Sequence, residues 1–374
     1  MERHVKLSRF TRAGSSAAMV GALALTLAAC APANESTGDA TGDETTDGGM
    51  SLSGELSGGG ASTQEVAMEA WRATFQSENP DATVNYDPIG SGGGRENFTS
   101  GAFPFAGSDA ALDDDEMAAA EAICGEGSVL EYPAYISPIA VAFNLEGVDE
   151  LNLSPETIAK VFKGDITKWN DKAIAADNEG VDLPDTDITV VHRSDDSGTT
   201  ENFTSYLNTV VPDVWDFEVE GVWPVEGQES AQGTSGVVNA AEAGDGTITY
   251  ADASQVAGLG TIAVGVGDDF VPYSAEAAAA VVEQSPRVEG TADTVFVYDL
   301  QRDLAGTYPI VLVSYQMACA TYEDEATAAL VKGFLGHVMS EEGQQEASDQ
   351  AGSAPISSAL IGEIAPEIEA ITAG

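Results

Sequence analysis

The chain has 374 residues and is strongly acidic, with 62 Asp and Glu against 14 Lys and Arg and a formal charge of −48. Such a surface repels nucleic acid and anionic lipid, which excludes a binder built on a basic patch. With 43% hydrophobic residues the chain is long enough for two domains around a substantial core.

The N-terminus sets the compartment. Residues 1–12, MERHVKLSRFTR, carry four basic side chains, and an apolar run from Ala17 to Ala29 follows. A basic head, a short apolar stretch and small residues before a cleavage point make an export signal over residues 1–29. Leu27-Ala28-Ala29-Cys30 resembles the lipobox of bacterial lipoproteins, in which the cysteine is lipidated; the alternative is an ordinary signal peptide. Residues 31–50, APANESTGDATGDETTDGGM, hold almost nothing to bury and are expected to form a disordered tether starting at Cys30. Cleavage leaves 10 basic against 61 acidic residues, a formal −51. Besides Cys30, the mature chain retains Cys124 and Cys319. In an oxidising compartment a disulfide between them is expected, the alternative being two separately buried thiols.

Beyond the tether, short β-branched runs alternate with helical patterns. In order these are ATVNYDPI, MAAAEAI, YISPIAVAFN, SPETIAKVF, DITVVH, TENFTSYL, SGVVNAAEA, GTITYAD, YPIVLVSYQMA and TAALVKGFLGHVM. The alternation predicts an α/β fold with substantial parallel sheet. No later stretch reaches the 18 or so apolar residues of a membrane span. In open α/β sheets ligands sit beyond the carboxyl ends of strands, where loops enter helices.

Three such junctions share one grammar. In LSGGGASTQEVAMEAW a glycine run precedes Ser62, and Glu65 three residues on predicts a capping box. In YDPIGSGGGRENF a strand ends in Gly90-Ser91 and three more glycines. In HRSDDSGTTENFTSYL, Arg193 is followed by Ser197-Gly198-Thr199 before a helical face of Phe203, Tyr206 and Leu207. Glycine lets backbone N–H groups come close, Ser and Thr add hydroxyl donors, and a first helical turn has unpaired N–H groups with partial positive charge. Each is what an oxyanion needs. Taken singly, a Ser or Thr before a helix is a plain cap and a glycine run is a loop.

SGGGAST, YDPIGSGGG, FAGSDAAL, VFKGDITKWND and VHRSDDSGTTENFTSYL occur in the order and spacing found in PstS-like phosphate-binding proteins. The chain resembles this family from about residue 52 to its end. The resemblance implies a two-lobed, type II-like periplasmic-binding-protein fold of α/β class with the ligand in the interlobe cleft. It implies lobe I over 51–140 and 300–374 and lobe II over 141–299. It also implies the substrate receptor of a phosphate ABC importer: not an enzyme, without cofactor or metal, monomeric, and lipid-anchored at the outer face of the cell membrane. Its partners would be inorganic phosphate, the permease subunits and the membrane through its anchor, and no nucleic acid.

The resemblance assigns roles residue by residue. Ser62 and Thr63 donate from the first loop and Ser91 from the second. Asp109 receives a proton from the ligand, and Arg193 supplies the guanidinium. Ser197, Gly198 and Thr199 give hydroxyl and N–H donors, and Asp195 holds Arg193 in place. Where many members have glycine, this chain has Asp196. Aspartate tolerates left-handed backbone geometry, so the turn survives, but the added charge is expected to weaken binding. From local sequence alone Asp109 has another reading, as a cap for the helix opening near LDDDE.

Other readings follow different residues. His192, His337 and many serines admit an exported serine hydrolase or phosphatase, although no G-x-S-x-G or S-x-x-K motif is present. A receptor for another tetrahedral oxyanion, arsenate included, fits the same donors. The histidines are expected to pack locally, and VFKGDITKWND, with Phe162 and Trp169, to belong to the core. The QGTSGVVNAAEAG junction near Thr234 is a further candidate for the cleft wall.

Overall fold

The computed structural model describes residues 52–374. The export signal, Cys30 and the tether lie outside the described residues. Among those described, no helix is long and apolar enough to cross a membrane.

The first half of the fold begins with β1 (Gly54–Gly60), a turn of 3-10 helix (Ser62–Gln64) and α1 (Glu65–Glu78). Ala67, Met68, Trp71 and Phe75 fall on one face of α1 at helical spacing and are fully buried. Next come β2 (Ala82–Asp87), α2 (Ser91–Thr99), β3 (Phe105–Ser108) and α3 (Asp114–Cys124). β1 lies between β2 and β3, parallel to both.

The 16-residue β4 (Val129–Asn144) then changes partners along its length. A second block follows: β5 (Glu150–Leu153), α4 (Pro155–Lys163), α5 (Lys172–Asp177), β6 (Thr189–Arg193), α6 (Gly198–Val210), β7 (Glu229–Ala231), α7 (Gly233–Ala243) and β8 (Thr247–Asp252). The hairpin of β9 (Gly260–Val266) and β10 (Asp269–Val271) and helix α8 (Ala275–Glu283) complete it. The chain returns through β11 (Val311–Cys319) and β12 (Thr321–Tyr322) to α9 (Glu325–Val338), α10 (Glu341–Ala351), α11 (Ser358–Glu369) and β13 (Thr372–Ala373).

The main sheet runs β2-β1-β3-β11-β4-β8-β6-β7, with β9 joining β4 to β5 and β10. Up to Pro138, β4 pairs antiparallel with β11; from Ile139 onward it pairs with β8. One strand thus serves both halves, and apolar residues bury it on both faces along nearly its whole length, as they do β11. Parallel pairs flank this antiparallel centre, among them β6 with β7 and β8. The architecture is the two-lobed α/β fold. Trp71, Phe75, Phe105 and Phe334 fill one half of the core, while Phe143, Phe162, Trp169, Phe203 and Tyr250 fill the other.

The sulfurs of Cys124, ending α3, and Cys319, ending β11, are bonded, with Cα atoms 5.1 Å apart. Phe162 and Trp169 are core residues, and Trp169 Nε1 donates to the Gly246 carbonyl at 3.0 Å.

Candidate functional site

The residues singled out by sequence come to one place. Ser62 and Thr63 follow β1, Ser91 opens α2, Asp109 follows β3, Arg193 ends β6, and Ser197 caps α6, whose first residues are Gly198 and Thr199. Strand ends and helix starts of both halves of the sheet therefore converge. All eight are buried, and Asp109 is 3% exposed.

The capping box expected at Ser62 does not form. α1 starts after the 3-10 turn with no side-chain cap. The Ser62 hydroxyl is engaged elsewhere: its Oγ lies 3.0 Å from Thr234 Oγ1 and accepts from Thr234 N at 3.0 Å. Thr234, at the start of α7, thus belongs to the site. Asp109 caps no helix either; α3 is capped by Asp113, which makes a full capping box with Glu116.

Asp109 is the hub. Thr63 Oγ1 and Ser314 Oγ each donate to its Oδ1 at 2.7 Å, and Thr199 Oγ1 approaches its Oδ2 at 3.5 Å. The Asp109 N–H donates to Ser91 Oγ at 3.1 Å. Burial pushes the Asp109 carboxyl up from its ordinary value, while the Thr63 and Ser314 hydroxyls, the Arg193 guanidinium and Thr199 pull it back.

Arg193 is held from two sides. Its Nε donates to Asp195 Oδ1 at 2.9 Å, its Nη2 pairs with Asp195 Oδ2, and its Nη1 donates to Thr199 Oγ1 at 3.3 Å. Asp195 Oδ1 also accepts from Gly233 N at 3.1 Å, fixing the carboxylate against the start of α7. Gly198 has to be glycine: a Cβ there would stand 2.8 Å from both Ser91 Oγ and Asp109 Cβ.

Asp196 points away from the hydroxyl cluster. Its Oδ1 is 3.6 Å from Arg95 Nη2, and its carbonyl accepts from Gly92 N at 3.2 Å. The carboxylate lies against Gly92 and Gly221, where a Cβ would clash at 2.3 Å and 2.1 Å. Arg95 also pairs with Glu116 at 2.9 Å.

Sequence reasoning missed four side chains. Ser314 and Gln316 on β11 and Gln64 after β1 pack behind Asp109, and Asn202 on α6 clamps it. The Asn202 amide donates to the carbonyls of Asp109 and Gly198 at 2.7 and 2.9 Å and accepts from Arg302 at 2.5 Å. A signal for two of them was available: Ser314 and Gln316 interrupt an otherwise apolar strand, and a polar side chain buried in a sheet needs a polar partner. A cavity of about 620 Å³ opens beside Asp109 and Asn202, with Glu201, Tyr298 and Arg302 on its walls. Of the eight residues singled out by sequence only Asp109 lines it, so this groove is not the cluster of donors.

The histidines have other partners. His192 Nδ1 is 2.8 Å from the Arg193 carbonyl and its ring stacks on Trp223, while His337 Nε2 is 3.2 Å from Glu346. Among the described residues no group of three or more His, Cys, Asp or Glu is gathered as a metal would need.

Comparison with known proteins shows the family and the fold. The family model for a PBP superfamily domain matches residues 34–342. Phosphate-binding protein PstS2 of Mycobacterium bovis is 32% identical over 97% of this chain and 100% of its own length. The chain belongs to the PstS family within the PBP superfamily. The PstS fold is shared with a periplasmic phosphate-binding protein, PfluDING, solved with phosphate bound, at a TM-score of 0.69 and 23% identity over 83% of this chain and 93% of that one. A phosphate-binding protein from Stenotrophomonas maltophilia superposes with a TM-score of 0.66 at 20% identity, covering 84% of this chain and 94% of its own. These two likenesses establish the fold of this PstS-family chain.

Proposed function

We propose that the chain is an exported receptor that encloses inorganic phosphate among Ser62, Thr63, Ser91, Asp109, Arg193, Ser197, Gly198 and Thr199 and delivers it to the permease of an ABC importer. The observation that carries this reading is the convergence of buried donors on one buried carboxylate. The lobes divide at 140/141 and 299/300, with the ligand between them. Cys30 carries the lipid and the following residues act as tether. The chain binds without turnover.

A domain this acidic holds a dianion by contact rather than by far field. Salt screens exposed charge beyond roughly 10 Å, whereas donors in a closed, dry cleft act at hydrogen-bond distance. Hydrogen bonds to a charged group contribute about 1.5–3 kcal/mol each, so several of them offset the desolvation of phosphate. The first turn of α6 adds unpaired N–H groups and the positive end of its dipole.

Asp109 supplies the selectivity. An ionised carboxylate only accepts hydrogen bonds. Phosphate near neutral pH carries a hydrogen to donate, whereas sulfate does not and would face Asp109 with nothing between two anionic oxygens. Discrimination by one missing donor in a buried site reaches on the order of 10⁴-fold.

Isothermal titration tests the reading. One phosphate per chain is expected, with little heat from sulfate and loss of binding in Asp109→Ala and Arg193→Ala. Tight sulfate binding by the unaltered protein, or sustained hydrolysis of a generic phosphate ester, would overturn it. Release of Cys30→Ser protein into the medium tests the anchor.

A further inference from the structure

Gln64, Ser314 and Gln316 form a fully buried row behind Asp109. Ser314 and Gln316 stand two apart on β11 and so project from the same face. The direction of every hydrogen bond in the row is fixed by its ends. The Gln64 amide lies 3.0 Å from the carbonyl of Tyr315, which only accepts, so its nitrogen must face that way. The same nitrogen donates to Ser314 Oγ at 2.8 Å, and Gln64 Oε1 accepts from Gln316 Nε2 at 2.8 Å. Ser314 already accepts from Gln64, and its single proton goes to Asp109 Oδ1 at 2.7 Å. Thr63 donates to the same oxygen at 2.7 Å. Oδ1 thereby takes two short hydrogen bonds, and Oδ2, which only Thr199 Oγ1 approaches, at 3.5 Å, is the oxygen left to face a guest.

We propose that Ser314, oriented by Gln64 and Gln316, is a specificity-determining positioning residue that keeps Asp109 an acceptor and leaves it a single working oxygen. The role rests on the reading of Asp109 as the group that receives the hydrogen of the bound oxyanion. Its consequence concerns rejection. Were Asp109 to take up a proton itself, Oδ2 would become a donor and a fully deprotonated tetrahedral dianion such as sulfate would fit. A hydroxyl aimed at Oδ1 opposes that uptake, because it stabilises the charged form.

Other groups face Asp109 from the elements packed around it. Arg193 on β6 favours the ionised form. The phenols of Tyr86 on β2 and Tyr135 on β4 are pushed far up, by burial first, and stay neutral. Asp252 on β8 is raised to about 6, by burial first, with Asp109 adding to the shift. Asp252 is a second buried carboxyl coupled to Asp109, so Asp252→Asn is the control background.

The test is titration of phosphate and of sulfate across a wide pH range, from acid to alkaline. In the unaltered protein sulfate binding should emerge only at the acid end. In Ser314→Ala it should emerge about one to two pH units higher, the shift expected for one lost hydrogen bond to a carboxylate. The phosphate-to-sulfate ratio near neutral pH should fall about tenfold or more. Ser314→Thr, which keeps the hydroxyl, should restore the original profile, and Gln316→Met should shift it in the same direction as Ser314→Ala. Equal weakening of both anions with an unchanged pH profile would make Ser314 a packing residue and overturn the proposal. Sulfate bound as tightly as phosphate by the unaltered protein near neutral pH would instead remove the Asp109 reading, and the role of Ser314 with it.

Discussion

Asp196 and Arg95 meet across the junction of the two halves, Oδ1 to Nη2 at 3.6 Å, in a niche that Gly92 and Gly221 leave open. The sequence alone suggested that this extra carboxylate opposes an anion. Its carboxylate is turned toward Arg95 and ties the turn before α6 to helix α2. The pair is partly exposed, with the Asp196 side chain at 47%, so it contributes about 0.2–1 kcal/mol. Asp196→Asn should therefore weaken phosphate binding by up to about fivefold at low ionic strength, a difference that closes in high salt. Calorimetry at two salt concentrations checks it; tighter binding in the variant would show that repulsion dominates.

Asn202 touches the site only through backbone, yet it joins Asp109 to α6. Its amide bonds the carbonyls of Asp109 and Gly198, and its oxygen receives the buried Arg302. Asn202→Leu strips Arg302 of that partner and releases Asp109. Leaving a buried polar group unpaired costs about 1–3 kcal/mol. The melting temperature should drop by a few degrees and phosphate affinity about tenfold. Unchanged affinity in a destabilised variant would separate the clamp from binding.

Glu131 predicts a pH signature. Its Oε1 accepts from Leu112 N at 2.8 Å, its Oε2 has no partner among the described residues, and burial pushes its carboxyl up from 4.5 to about 8. Between those values the unfolded chain gives up its proton first, so the folded state binds more protons and stability falls as pH rises. The slope is about 1.4 kcal/mol per pH unit. Below the lower value the penalty is absent; above the upper one it is constant. Glu131→Gln keeps an acceptor for Leu112, so its melting temperature should gain on the parent from about pH 4.5 to about pH 8 and then run level. A gap independent of pH would refute this.

Cys124 and Cys319 close a span of 195 residues and sit in a small apolar cluster with Phe98 and Met317. The double Cys→Ser variant should lose about 2–5 kcal/mol of stability. Phosphate affinity measured well below its melting temperature should remain as in the parent.

The junctions were legible in the sequence because oxyanion donors have a compact local grammar. Ser91 after its strand, Arg193 at a strand end and Ser197-Gly198-Thr199 at a helix start each announce themselves within a few residues. Ser62 shows where that grammar misleads: S-x-x-E reads as a cap, but a partner 172 residues away holds the hydroxyl. Ser314 and Asn202 were illegible for the same reason, since their partners lie 205 and 93 residues distant and only the folded sheet brings them together. β4 carried a different ambiguity. Its apolar run marks a buried strand, but no local pattern marks Pro138–Ile139 as the point where it changes partners.

The pairing of Arg193 with Asp195 has a kinetic consequence. With its guanidinium already neutralised, the site projects little field into solution, and the acidic exterior adds no attraction for an incoming anion. Association is left near the unsteered range for diffusional encounter, and ionic strength should accelerate arrival rather than slow it. Discrimination among guests then resides in how long each one stays.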